Sequence, residues 1–337
     1  MNARSQQGAT LIELMITLLV GSLLMTGLVT FYLQSARDFH YQQALSQVQE
    51  TGRFTTHFLA DHLKRAGFWG HAWQAEFAGS FTASDGLLSA PARAGYTSGA
   101  GPLPVWSGES PCLEPGCSLL PAAYQATAAS PMSQALALRY ADASSSGGAD
   151  ITLASTGNCL QLDLPDETPG CGALANQVPR TLWAYRALFF AVRQLCVNVA
   201  GQRVGCGSTG AQAVPALYMG VLGSGGYRMN EIAPGVELLH LEWGLDDTGD
   251  GLPNRLVSGS NTVALSLDEW RRAVSVQLYV VVQSEPLNIP DNHASPVLRL
   301  GQVSYTPPRD NRVRRVFSTS VSLGNLRYRR GFIEGAP

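Results

Sequence analysis

Charge is scarce in this chain. Of its 337 residues only 14% are Asp, Glu, Lys or Arg, Lys64 is the single lysine, and the formal net charge is −2. So balanced a surface lacks the basic footprint of a nucleic-acid-binding protein, and no specific nucleic acid is expected. The sequence motifs of common enzymes are missing as well. There is no phosphate-binding P-loop, no G-x-S-x-G elbow, no S-x-x-K and no HExxH. Gly223-Ser224-Gly225-Gly226 has the glycines of a phosphate loop, but neither a lysine nor a full glycine fingerprint follows. His40, His57 and His62 lie in one periodic stretch with no metal-ligand spacing and read as packing or solvated residues. The chain therefore reads as a non-enzyme. An anchored enzyme with a convergent site is the alternative, because such sites need no motif.

What is present begins at the N-terminus. A short polar leader, Arg4-Ser5-Gln6-Gln7-Gly8, gives way to an apolar run that continues to Leu33, and the leading residues of that run contain one acid, Glu13. Residues 14–33 form a run of twenty, about 30 Å as a helix, which matches a bilayer's hydrocarbon core. A secretory signal peptide places its cleavage site after the apolar region. Here the small residues Gly8 and Ala9 come before it, so a cut between them leaves the apolar run in the mature chain. A carboxylate deep in lipid costs about 2.5–3.5 kcal/mol on insertion scales and is normally kept for a partner.

The helical pattern outlasts the membrane-grade segment. No proline occurs from Tyr32 to Ala66, and Leu45, Val48, Phe54, Phe58, Leu59 and Leu63 recur at three- and four-residue steps, predicting one buried face. Gly52 interrupts that face at about 1 kcal/mol, and Gly67 suits a left-handed C-cap. A helix over 9–66 would be about 87 Å long. Residues 67–130, with Trp69, Trp73 and Trp106, read as extended loops whose tryptophans pack on a sheet. Strands are predicted at 135–140, 150–154, 159–164, 187–192, 194–199, 237–245, 255–257, 273–283 and 315–323. One long helix followed by antiparallel strands is an α+β architecture.

The six cysteines, Cys112, Cys117, Cys159, Cys171, Cys196 and Cys206, all follow the apolar run and fall into three close pairs. Proximity suggests disulfides 112–117, 159–171 and 196–206. Structural zinc is the rival, although the spacings C-x4-C, C-x11-C and C-x9-C suit it poorly. Asp246-Asp247-Thr248-Gly249-Asp250-Gly251-Leu252-Pro253-Asn254 places oxygens at Asp246, Thr248, Asp250 and Asn254, the spacing with which calcium loops wrap their cation. Position twelve is Val257 rather than a bidentate glutamate, so a plain hairpin turn competes with calcium. Seven arginines between Arg309 and Arg330 read as the wet side of edge strands.

The leader, the glycine and an acid five residues into the mature chain together resemble the N-terminus of type IV prepilins and type II secretion pseudopilins. The resemblance implies cleavage between Gly8 and Ala9 by a prepilin peptidase, methylation at Ala9, and a pairing of Glu13 with a neighbouring subunit's N-terminal amine. Ala9 departs from the phenylalanine usual at that place. Lys64-Arg65-Ala66-Gly67-Phe68-Trp69-Gly70, Gly235-Val236-Glu237, Trp270 and Arg315-Val316-Phe317-Ser318-Thr319-Ser320-Val321 resemble, in that order, segments of PilW-type minor pilins. The resemblance implies a leader at 1–8, a membrane or filament-core half-helix at 9–33, an amphipathic half at 34–66 and a periplasmic head at 67–337. It also implies an inner-membrane precursor that joins the pilus tip. Its expected partners are the major pilin, other minor pilins, the inner-membrane assembly platform and a tip adhesin. A minor pseudopilin is the alternative within the class. A chain that retains Glu13 expects a neighbour's amine, so it is not the outermost subunit.

Overall fold

The computed structural model describes residues 10–70, 76–77, 104–108, 133–142, 152–155, 159–163, 181–198, 202, 204–205, 208–223, 226–258, 265–285 and 295–326. Its first element, α1 (Leu11–Arg65), is a single helix of 55 residues, about 82 Å long. Lys64 and Arg65 place cations in its last turn, where they meet the negative end of the helix dipole. Gly67 follows at φ 76°, as the left-handed stop requires.

Helix α1 has two unlike halves. From Leu11 to His40 nearly every side chain is exposed, whereas Ala44, Val48, Gly52, Thr55, Thr56, Leu59, Ala60 and Leu63 are buried against the head. The buried stripe keeps the expected period but is made largely of small residues. Phe58 is half-buried and Phe54 remains 51% exposed. Small side chains allow the sheet to approach the helix closely.

Two larger sheets and a two-stranded hairpin make up the described head. The larger contains β1 (Glu76–Phe77), β2 (Val105–Gly108), β3 (Ala135–Asp142), β4 (Thr152–Ser155), β5 (Cys159–Asp163), β6 (Thr181–Val197), β7 (Gln212–Gly223) and β8 (Gly226–Pro234). Its pairings are antiparallel except for the two-residue pairing of β1 with β5. The smaller sheet has the order β10-β9-β11-β14, from β9 (Val236–Leu245), β10 (Arg255–Ser258), β11 (Ala273–Gln283) and β14 (Arg314–Ser322). The one-turn helix α2 (Leu267–Arg271) leads into β11, and the hairpin of β12 (Leu298–Leu300) and β13 (Val303–Tyr305) covers part of this sheet.

The chain changes sheets at Gly235, between β8 and β9. Its φ is 80°, and a Cβ there would lie 2.7 Å from the Gln283 carbonyl oxygen, so only glycine makes the step without strain. Its N–H donates to Pro215 O in one sheet and its carbonyl accepts from Gln283 N in the other, both at 2.8 Å. Further along, Gln134 N–H donates to Leu239 O at 2.8 Å, and Trp243 Nε1–H donates to Ser107 Oγ at 2.6 Å. One core runs through both sheets and α1, with Leu59, Leu63, Leu138, Phe190, Leu217, Leu241, Trp243 and Leu278 among its members.

Three expectations change. The two strands at 187–192 and 194–199 are one strand, β6, whose register with β7 runs unbroken from Leu188 to Val197. Gly223 and Gly226 pair across the β7–β8 hairpin, so the glycine-rich segment joins two strands that the pattern did not reveal. Residues 104–108, assigned to loop, include β2, which places Trp106 in the core.

Candidate assembly interface

The N-terminal half of α1 is the most unusual surface in the molecule. Leu11, Leu18, Leu23, Leu24, Met25 and Phe31 are each 65% exposed or more, and every side chain from Leu11 to Leu33 is exposed. Contiguous apolar surface on this scale does not stay in water; it belongs in lipid or in an interface. The helix is long and apolar enough to cross a membrane by length and composition. Its polar side chains fit that medium. Thr17 donates to Leu14 O at 2.9 Å, Ser22 to Leu19 O at 2.8 Å, Thr26 to Ser22 O at 2.8 Å and Thr30 to Gly27 O at 2.8 Å. Each hydroxyl proton is thereby satisfied within the helix, which removes most of the cost of placing it in hydrocarbon.

Glu13 occupies the first turn. The Thr10 backbone N–H donates to Glu13 Oε2 at 3.4 Å, a long and exposed bond that leaves most of the carboxylate's acceptor capacity free. The position also favours an anion, because the helix N-terminus carries partial positive charge. Gly8 and Ala9 lie outside the described residues. Residue 9 adjoins Thr10, so an amine created by a cut after Gly8 would stand one residue from the backbone group that Glu13 already meets.

The C-terminal half of α1 fixes this surface to the head. It runs alongside β14 in the same direction. Val313 packs with Ala44, Phe317 lies against Gly52, and Leu326 reaches Gly67. Asn325 donates to Lys64 O and Ala66 O at 3.0 and 3.2 Å, tying the last described turn to the helix end. The Phe317 ring occupies the space that a Cβ at Gly52 would need. On the other flank His62 Nδ1 lies 2.9 Å from Tyr140 Oη, between Phe58 and Phe190. Burial, with the Arg65 charge, pushes the His62 pKa below its ordinary value. His40 and His57 are exposed, so the three histidines divide between packing and solvent.

The acidic loop between β9 and β10 is a closed hairpin turn. Asp246 is buried, and its carboxylate accepts from the N–H groups of Thr248 (3.1 Å), Gly249 (2.6 Å) and Gly251 (2.8 Å). Asn254 Oδ1 accepts from Asp247 N–H at 3.0 Å, and Asp250 Oδ1 accepts from Leu252 N–H at 2.8 Å. Gly249 and Gly251 take φ of 86° and 78°. At each of Asp246, Asp250 and Asn254 a side-chain oxygen thus accepts from a backbone N–H group, and the Thr248 hydroxyl donates to Asn254 Oδ1 at 3.1 Å. Among the described residues, no group of three or more His, Cys, Asp or Glu side chains is placed to hold a metal.

Arg327, Arg329 and Arg330 lie outside the described residues, and of the other four arginines in the run Arg309 is exposed as expected while two depart from expectation. Arg315 is exposed, but Arg314 is 1% exposed and Arg312 is largely covered. Arg314 donates to Glu237 at 2.6 Å, to both oxygens of Asp310 at 2.6 Å and to Gln283 at 3.0 Å, while Tyr305 Oη–H donates to Glu237 at 2.8 Å. Burial alone would lower the Arg314 pKa, but its hydrogen bonds to Asp310 and Glu237 outweigh that and the net shift is upward. The network lies where β14 enters the sheet beside β11 and links the hairpin to it. An arginine in an edge strand reads as solvated. Its partner Glu237 sits at a register shift between β9 and β11, a feature of the pairing that the sequence does not display.

Of the cysteines, Cys196 lies in β6 and is disulfide-bonded. Val204 N–H donates to Cys196 O at 2.9 Å, which brings the chain back towards it. Cys159 lies in β5, and Cys112, Cys117, Cys171 and Cys206 lie outside the described residues.

Residues 3–29 match the family model of the prokaryotic N-terminal methylation motif, and residues 204–325 match that of the type IV pilus-assembly protein W. The second match spans β7 to β14, including the sheet change at Gly235 and the Arg314 network. No curated protein and no solved structure matches the chain. Both families point to a structural rather than a catalytic role, to association with other pilus components and to single-pass membrane anchoring.

Proposed function

Starting from a PilW-like type IV pilin, we propose that this chain is a minor pilin that helps to prime pilus assembly and is carried at the pilus tip. The observation that carries the reading is the wholly exposed apolar half of α1, held by its other half to a large two-sheet head. In the precursor, the apolar half spans the inner membrane and the head stands in the periplasm. A prepilin peptidase cuts between Gly8 and Ala9, and Ala9 is methylated. The helix then leaves the assembly platform for a filament core as apolar as the bilayer. That transfer gains little from the hydrophobic effect, and packing and polar contacts decide it. Glu13 supplies the directional contact by accepting a neighbour's N-terminal amine in a low-dielectric core, where an ion pair is stronger than in water.

The partners on this reading are the major pilin, other minor pilins and a tip adhesin, and pilus retraction links the protein to twitching motility. The size of the head favours a low-copy subunit, because so bulky a head would crowd every layer of a filament. The match to a pilus-assembly family favours the pilus over a type II secretion pseudopilus.

Glu13→Ala tests the mechanism. A charge-assisted contact contributes about 1.5–3 kcal/mol, so the variant should insert normally but fall at least about tenfold in sheared pili. Unchanged incorporation removes the role given to Glu13.

A further inference from the structure

Strand β14 is the outer strand of the smaller sheet, and its backbone shows which groups remain open. Leu323 N–H donates to Val274 O and Ser284 N–H donates to Val313 O, both at 2.9 Å, and the register with β11 is unbroken from Arg314 to Ser322. Odd-numbered residues therefore bond to β11, and Val316, Ser318, Ser320 and Ser322 turn N–H and C=O away from the sheet. None of these outward groups has a hydrogen-bond partner among the described residues. The strand has nine residues, no proline and no bulge, and its side chains past Arg315 are Val, Phe, Ser and Thr. Edges normally carry charges, prolines or bulges that prevent pairing. Past Arg315 this one carries none of them.

A groove runs beside this edge. It is lined by Arg53, Thr56, His57 and Ala60 of α1 and by Phe317, Ser318 and Thr319 of β14. Among the described residues its lining contains a guanidinium and an imidazole but no carboxylate. The groove follows α1, the helix whose exposed half brings neighbours alongside in a filament.

We propose that the outer edge of β14 receives an extended, carboxylate-bearing segment from the head of a different pilin-like subunit, which adds to the sheet as a strand. Backbone hydrogen bonds supply the affinity, as in other strand-addition complexes, and the acid aimed at Arg53 supplies selectivity. A second copy of this chain is the wrong occupant. Its own β14 exposes Arg315 and carries no acid, so a two-fold pairing would offer the groove no carboxylate. The inference rests on the minor-pilin reading and adds to it the place and mode of contact between heads.

The decisive measurement is amide hydrogen exchange of the full chain, in detergent and in sheared pili. The amides of Val316, Ser318 and Ser320 should slow by about tenfold or more on assembly. Equal rates in the two states overturn the edge proposal while leaving the pilin reading intact, and absence of the chain from pili overturns both. Ser318→Pro gives a second test. The Ser318 N–H makes no bond to β11, so proline removes only an outward donor. It should lower incorporation about tenfold where Ser318→Ala does not. Arg53→Glu, which leaves the strand untouched, should lower it as well. Incorporation of both variants at the unaltered level sinks the proposal. So does a disulfide joining two copies of a Ser320→Cys chain as the main product in pili.

Discussion

Arg314 shows how much one residue can hold in this head. It is buried between two carboxylates, Glu237 and Asp310, and Glu237 also accepts from Tyr305. Removing one partner of a buried pair costs about 3–5 kcal/mol, because the remaining charge is stranded. Arg314→Met should lower Tm by roughly 10 °C in a head of this size, at about 2–4 °C per kcal/mol. Arg315→Met, one residue away and exposed, should stay within about 0.5 kcal/mol of the parent. The acid limb gives a second readout. Burial pushes the Asp310 pKa up, but the hydrogen bonds and charge of Arg314 outweigh it and hold it below the usual range. A depressed carboxyl contributes stability above its unfolded pKa, near about 3.9, and loses it as pH falls through the lower folded value. Denaturation midpoints should therefore drop below about pH 4 in the parent, and the Asp310 part of that drop should vanish in Arg314→Met. This network was not legible from the sequence. Arginines in an edge strand have the same pattern whether they are solvated or buried, and the partner that decides the matter, Glu237, is far away in the chain.

At the scale of elements, α1 and β14 form the seam on which the head is built, and Gly52 is its tightest point. Elsewhere in an exposed helix, Gly→Ala stabilises by about 1 kcal/mol. Here the Phe317 ring fills the Cβ position, and forcing extra volume into a packed contact costs about 1–3 kcal/mol. Gly52→Ala should therefore destabilise the parent. In a Phe317→Ala background the sign should reverse, which a double-mutant cycle in urea would show. Additive effects would mean that the ring does not enforce the glycine. The sequence offered Gly52 only as a flaw in the helix, because a residue 265 positions away supplies the reason for it. Elements whose signal is local were legible: the stop at Gly67, the span of β11 and the hairpin turn after β9. The β7–β8 hairpin was not. Pro215 lies inside β7 next to Ala216, where the pairing with β8 ends, and glycines crowd the other end. Both are local breaker signals that tertiary pairing overrides.

The whole molecule is two structures sharing one helix. The first burial along α1 comes at Ala44, and the apolar half contributes no side chain to a core cluster among the described residues. That division was legible because it is written in composition: an apolar run, then an amphipathic one, then strands. The arrangement of strands into two sheets was not, since the step at Gly235 depends on which distant strands accept each side of it. The division makes a prediction about the chain as a whole. Removing residues 1–33 deletes the segment that matches the hydrocarbon thickness but, among the described residues, none of the buried ones. The shortened chain should move from the membrane fraction to the soluble fraction. Its Tm should stay within about 2 °C of the full chain in detergent, since less than about 1 kcal/mol of head packing is lost. A shortened chain that stays with the membranes would show a second site of attachment in the head. A Tm lower by about 5 °C or more would mean that the exposed half of α1 folds back onto the head, and the helix could not then be free to enter a filament core.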